Sequence, residues 1–264
     1  MIRRSKSGGV GIASACAVVG VCVGCASPSS GGKGPREVDV GKVGFLDKAV
    51  EVPDGTRRRY VVYVPHAYAP EKLWPAILFL HGAGERGTDN EGQVRVGIGR
   101  AIRQREATFG FVTVMPQCAA GPAWWTKESE KAYAMAALAK TRKEYAIDPE
   151  RIYLTGLSMG GSGTWTLAAD HPKLWAGIVP ICGRAQLNKA RRIAHLPCWC
   201  FHGAADPTVP VKHSRDMIDA LKKAGGKPRY TEYEGVGHNS WDAAYDTDAL
   251  YTWMLQHQAK EASR

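Results

Sequence analysis

Near the middle of the 264-residue chain the sequence reads Gly156-Leu157-Ser158-Met159-Gly160. A serine hydroxyl attacks a carbonyl carbon only when a base takes its proton and N–H donors receive the charge that develops on oxygen. A serine between two glycines, after an apolar run and before a helical pattern, fits that chemistry. Glycine at both flanks permits a turn so tight that the serine stands at its tip, at a helix N-terminus where negative charge is favoured. The alternative is a strand-to-helix corner with no chemistry, and the other polar residues decide between the two.

The base should be a histidine on a loop after a later strand, and the acid should lie between serine and histidine in sequence. His238 in "YEGVGHNSW" and Asp206 in "FHGAADPTVP" meet these conditions. His202 shares the Asp206 loop and is read as structural. His213 and His257 fall on helical patterns, His171 ends one, Asp216 and Asp219 lie on a helix surface, and Asp242 caps the last helix. The oxyanion needs two N–H donors, here assigned to Met159 and to Ala83 in the glycine-rich "LHGAGERGTDN". His81, Glu85 and Arg86 of that loop are read as stiffening it through hydrogen bonds and an ion pair. Trp124 and Trp125 follow "PQCAAGPA" and suggest an aromatic wall for an aryl acyl group or a sugar, with one of the two anchoring the loop. Trp125 is expected to face the pocket, and Gln117 to line the same region.

These residues must be carried on a sheet. Strand patterns occur at 58–65, 75–82, 111–116, 151–156, 176–182, 197–203 and 228–235. Helical patterns occupy 127–145, 162–169, 211–224 and 242–257, the third ending at Gly225-Gly226. The run "PAILFLHG" suits a strand buried on both faces. Alternating strands and helices predict an α/β fold with a mostly parallel central sheet covered on both sides. No dinucleotide, Walker or zinc-protease motif is present.

Together "RYVVYVP", "LHGAGERGTDN", "PQC…WW", "DPERIYLTGLSMGGSGTW", "GIVPICG", "FHGAADPTVP" and "GVGHNSW" resemble bacterial α/β-hydrolases labelled predicted peptidases or phospholipase/carboxylesterase-like. The set is similar to dienelactone hydrolase-like proteins and feruloyl-type esterases, over roughly residues 45–257. The resemblance implies the α/β-hydrolase fold without a large lid domain, the chain order Ser158, Asp206, His238, and a serine hydrolase of carboxylic esters with no metal or organic cofactor. Dienelactone hydrolases carry Cys at the elbow where this chain has Ser158. Peptide hydrolysis and a non-catalytic binding role are the alternatives.

The N-terminus reads differently. Arg3, Arg4 and Lys6 precede a small-residue apolar run, the pattern of an export signal. Val23-Gly24-Cys25 resembles a bacterial lipobox, with Cys25 the lipid acceptor, although Cys22 stands where Leu is usual. The expected organisation is a signal at 1–24, a Ser/Gly/Pro-rich tether at 25–40 and a catalytic domain at 41–264, placing the protein at the cell envelope or outside it. The net charge of +10 comes from scattered residues with no interleaved aromatics, which argues for a solvated surface and against nucleic acid. An ester substrate and, through the lipid, a membrane are the partners implied. Cys118, Cys182, Cys198 and Cys200 are expected to be buried apolar residues, with room for one disulfide.

Overall fold

The computed structural model describes residues 42–259. The signal, Cys25 and the tether lie outside the described residues, as do 260–264. The described residues fall within one unit, Arg36–Arg264.

The first strand, β1 (Gly44–Glu51), has no clean alternation and gives no sequence signal; it pairs antiparallel with β2 (Arg57–Val64). The next strands are β3 (Trp74–Leu80), β4 (Val112–Pro116), β5 (Ile147–Leu157), β6 (Gly177–Ile181), β7 (Trp199–Gly203) and β8 (Arg229–Tyr233). They form one eight-stranded sheet in the order β1-β2-β4-β3-β5-β6-β7-β8, parallel from β4 to β8. This is the α/β-hydrolase sheet.

Every residue of β3 is buried, and its side chains alternate between the two faces. Ala76, Leu78 and Leu80 pack on one side with α2 (Glu128–Glu144), α3 (Met159–Asp170) and α5 (Lys212–Lys223), through residues such as Leu138, Trp165 and Met217. Ile77 and Phe79 pack on the other with α1 (Gly97–Gln104), α6 (Trp241–Asp246) and α7 (Asp248–Leu255). A short α4 (Ala190–Ile193) completes the first layer. The helix expected over 242–257 is two helices, because Thr247 is extended (φ −78°, ψ 107°) and breaks the run.

Cys118, Cys182, Cys198 and Cys200 are free and buried. Cys198 and Cys200 enter the same core layer, as alternation along one strand requires. No described helix is long and apolar enough to cross a membrane.

Phe79 joins the central strand to α6, its ring edge-on to Tyr245 at 6.0 Å between centroids. Phe79→Ala is expected to cost about 3–5 kcal/mol, read as a lowered midpoint in urea denaturation.

Candidate active site

β5 ends at Leu157 and α3 begins at Met159, so Ser158 alone makes the turn. Its backbone lies at φ 52°, ψ −113°, a region that side chains rarely occupy and that costs on the order of 1–3 kcal/mol. The flanking glycines are a steric requirement. A Cβ on Gly160 would fall 1.8 Å from the Leu80 carbonyl oxygen, and one on Gly156 would fall 2.4 Å from the Gly160 oxygen. The Ser158 N–H donates to Ile181 O at 2.9 Å, which ties the turn to β6.

His238 follows β8, and its Nε2 lies 2.9 Å from Ser158 Oγ. Its Nδ1 lies 2.7 Å from Asp206 Oδ2. An ionised carboxylate only accepts, so Nδ1 carries the proton and Nε2 is left to accept from the serine hydroxyl. The two loops are tied together: Ala204 N–H donates to Tyr233 O and Ala205 N–H to Val236 O. The structure thus brings Ser158, Asp206 and His238 into one hydrogen-bonded line.

Asp206 is buried. Burial pushes its carboxyl up, but the His238 hydrogen bond and the N–H groups of Val209 and Thr208 outweigh this and hold it below the ordinary carboxylate value. His202, fully buried, lies beneath it. Its Nε2 donates to Val209 O at 2.9 Å and is 3.2 Å from Asp206 Oδ2. Its Nδ1 accepts from Ser214 Oγ, which in turn receives the Cys200 thiol. Burial lowers the His202 pKa, so at neutral pH it supports Asp206 as a neutral donor. Nothing in the sequence marks Ser214 or Cys200 for this, since both sit on apolar periodic segments.

Met159 is the first residue of α3 and Ala83 the first of a one-turn 3-10 helix at Ala83–Glu85, so neither N–H has a partner inside its own helix. A Cβ on Gly82 would lie 3.8 Å from Ser158 Cβ, so the loop after β3 passes close beside the serine. His81 holds that loop: Nδ1 donates to Gly82 O at 2.6 Å and Nε2 accepts from the Cys118 N–H at 2.8 Å. Arg86 makes no pair with Glu85; it donates to the carbonyls of Ala83, Gly121 and Ala123.

The expectation for Trp125 is corrected. It is 1% exposed, its indole N–H donates to His81 O at 2.9 Å, and it packs so closely on α3 that a Cβ on Gly163 would fall 2.4 Å from its own Cβ. Trp124 is the exposed member of the pair, at 41%. Two adjacent loop residues point apart, and glycine at 163 makes room for the second. Gln117 is corrected too. It is buried, and its amide is engaged by Asn90 N–H, Glu85 O and Asp89 Oδ1, so it braces the 85–92 loop. Asp242, in the first turn of α6, pairs with Arg100.

Among the described residues, Cys182, Asp206 and His238 alone offer three metal-type donors within 4.8 Å of one another. Burial raises the Cys182 thiol to about 12, and Asp206 already accepts from His238 Nδ1.

A sequence profile of the phospholipase/carboxylesterase family matches residues 126–247, the stretch that contains Ser158, Asp206 and His238. A thermostable esterase of known structure is 36% identical, with a TM-score of 0.75 over 81% of this chain and 63% of that one. The chain belongs to the α/β-hydrolase superfamily. Within it, the match is to the carboxylesterase family of hydrolases. A bifunctional acetylxylan esterase/xylanase, XynS20E of Neocallimastix patriciarum, is 26% identical over 75% of this chain, which spans 28% of that larger protein. A ferulic acid esterase shares the fold (16% identity, TM-score 0.63, 80% of this chain and 96% of that one).

Two outcomes follow for this α/β-hydrolase. Trp125→Ala should cost about 3–5 kcal/mol in denaturant unfolding, while Trp124→Ala should stay within about 0.5 kcal/mol of wild type. The second concerns acid. Burial lowers the His81 pKa to about 4, against about 6.5 in an unfolded chain. The unfolded state therefore takes up the proton first. Stability is full above about pH 6.5 and falls as pH drops towards 4, by about 3 kcal/mol from this residue, with His202 acting in the same direction. Denaturation at pH 7 and 4.5 should show a smaller pH-dependent loss in His81→Gln than in wild type.

Proposed function

We propose that the protein is a serine esterase, and that it cleaves carboxylic esters through an acyl-enzyme. The observation that carries this is the line from Ser158 Oγ to His238 Nε2 and from His238 Nδ1 to Asp206 Oδ2. Ser158 Oγ attacks the ester carbonyl while Nε2 takes its proton, and Asp206 stabilises the imidazolium. The N–H groups of Met159 and Ala83 receive the oxyanion. Collapse breaks the bond to the leaving oxygen, which departs as an alcohol with the proton from Nε2. Water, deprotonated by the same nitrogen, then releases the carboxylic acid and restores Ser158.

The substrate reading is short-chain or aryl esters, including acyl groups on carbohydrate. The name of the XynS20E relative supports acetyl esters on a polysaccharide, and the resemblance of the motif set supports feruloyl esters. Exposed Trp124, on a loop bolted to the one after β3 through Arg86 and Trp125, is a flat apolar face for a ring of either kind. Residues 1–35 support an enzyme that is exported and attached to the envelope through Cys25.

Hydrolysis of p-nitrophenyl acetate should fall by roughly 10³-fold or more in Ser158→Ala, and by a comparable factor in Asp206→Asn, which retains the shape but reverses the imidazole's tautomer. A fluorophosphonate probe should label wild type and not Ser158→Ala. Labelling that persists in Ser158→Ala would place the nucleophile elsewhere.

A further inference from the structure

The loop after β3 contains a carboxyl oxygen that has no hydrogen-bond partner. Glu85 closes the 3-10 turn that begins with Ala83. Its Oε2 is buried and has no hydrogen-bond partner. The nearest basic nitrogen, His81 Nδ1, is 4.0 Å away and already gives its proton to Gly82 O. Arg86, next in sequence, turns away to the carbonyls of Ala83, Gly121 and Ala123. Burial raises the Glu85 pKa, opposed in part by the N–H groups of Gly82 and Glu85 itself.

The carboxyl and the nucleophile both border Gly82. A Cβ on Gly82 would meet Glu85 Oε2 at 2.9 Å and Ser158 Cβ at 3.8 Å, so the two side chains flank the same backbone position. Oε2 itself is buried, but the Glu85 side chain as a whole is 19% exposed, so the carboxyl borders solvent. A carboxylate placed there opposes the charge of an oxyanion unless a donor covers it. His238 already serves as base, which leaves Glu85 no proton-transfer task.

We propose that Glu85 is a substrate-binding residue whose carboxyl accepts a hydrogen bond from a free hydroxyl on the alcohol part of the ester. This rests on the esterase reading and narrows it to partly acylated polyols and sugars. A hydroxyl on the carbon adjoining the ester-bearing carbon stays close to the reacting centre, whereas a phenolic hydroxyl of a cinnamoyl group lies across a ring and a double bond from the carbonyl.

The test uses 2-hydroxyethyl acetate and 2-methoxyethyl acetate, which differ in the hydroxyl proton that Glu85 would receive. The readout is the ratio of their kcat/KM values. Wild type should favour the hydroxy ester, and in Glu85→Met, which keeps the length and removes the acceptor, the ratio should fall by about tenfold. Glu85→Gln, a neutral acceptor, should restore part of the ratio. A merely structural role would lower both rates and leave the ratio unchanged. Methyl ferulate against its 4-O-methyl ether provides the second arm: a ratio that responds to Glu85→Met there, and not with the acetates, would overturn the alcohol-side assignment. Fluorophosphonate labelling of the same preparations keeps the two readings apart. Unlabelled wild type contradicts the esterase, whereas labelled wild type with the same acetate ratio as Glu85→Met overturns the role of Glu85 alone.

Discussion

α3 presses closely against the end of β3. Gly160 sits so near the Leu80 carbonyl that no side chain fits, and the same crowding excludes a Cβ at Gly156. With β5 and α3 pressed this closely to β3, a single residue must reverse the chain, and Ser158 does so in a left-handed conformation. The strain is sustained because the sheet over-determines it: from Tyr153 to Gly156, just before the turn, β5 is paired with β3 and β6 on either side. The turn lifts the hydroxyl clear of the sheet and leaves the Met159 N–H, first in its helix, beside it. The loop after β3 is drawn against the same corner through Gly82.

Against that fixed serine, two loops at the far end of the sheet supply the other side chains. A half-exposed imidazole would wander unless held, and Asp206 holds it. The carboxylate is in turn kept ionised in a buried position by four donors: two backbone N–H groups, His238, and the neutral His202 nearby. His202 owes its place to Ser214 on α5, so the helix that covers the sheet also sets the His202 tautomer beneath Asp206. Packing and chemistry are linked here through hydrogen bonds that run from the core outward.

The parts that were legible in the sequence are those with a signature in residue type and spacing. Ser158 sits between glycines after an apolar run, and Asp206 and His238 occupy glycine-containing loops after strands. The buried strands β3 to β7 read as apolar runs because helices cover both faces. What escaped depends on direction in space. Trp124 and Trp125 are chemically identical and adjacent; only the gap above Gly163 decides which enters the core. Gln117 looks like a pocket residue until its three partners in the 85–92 loop are seen. β1 is an edge strand with mixed exposure and hence no period, and Thr247 breaks a helical pattern without glycine or proline to announce it. Glu85 lacks the ion pair expected in its loop because Arg86 faces the carbonyls of Ala83, Gly121 and Ala123.

The central claim is that the elbow serine, its imidazole and the two first-turn N–H groups form one preorganised centre. A crystal structure after treatment with an alkyl fluorophosphonate tests it directly. Phosphorus should be bonded to Ser158 Oγ, with the phosphoryl oxygen within about 3 Å of the N–H groups of both Met159 and Ala83, and His238 still on Asp206. Phosphorus on another residue, or a phosphoryl oxygen directed away from those two N–H groups, would contradict it.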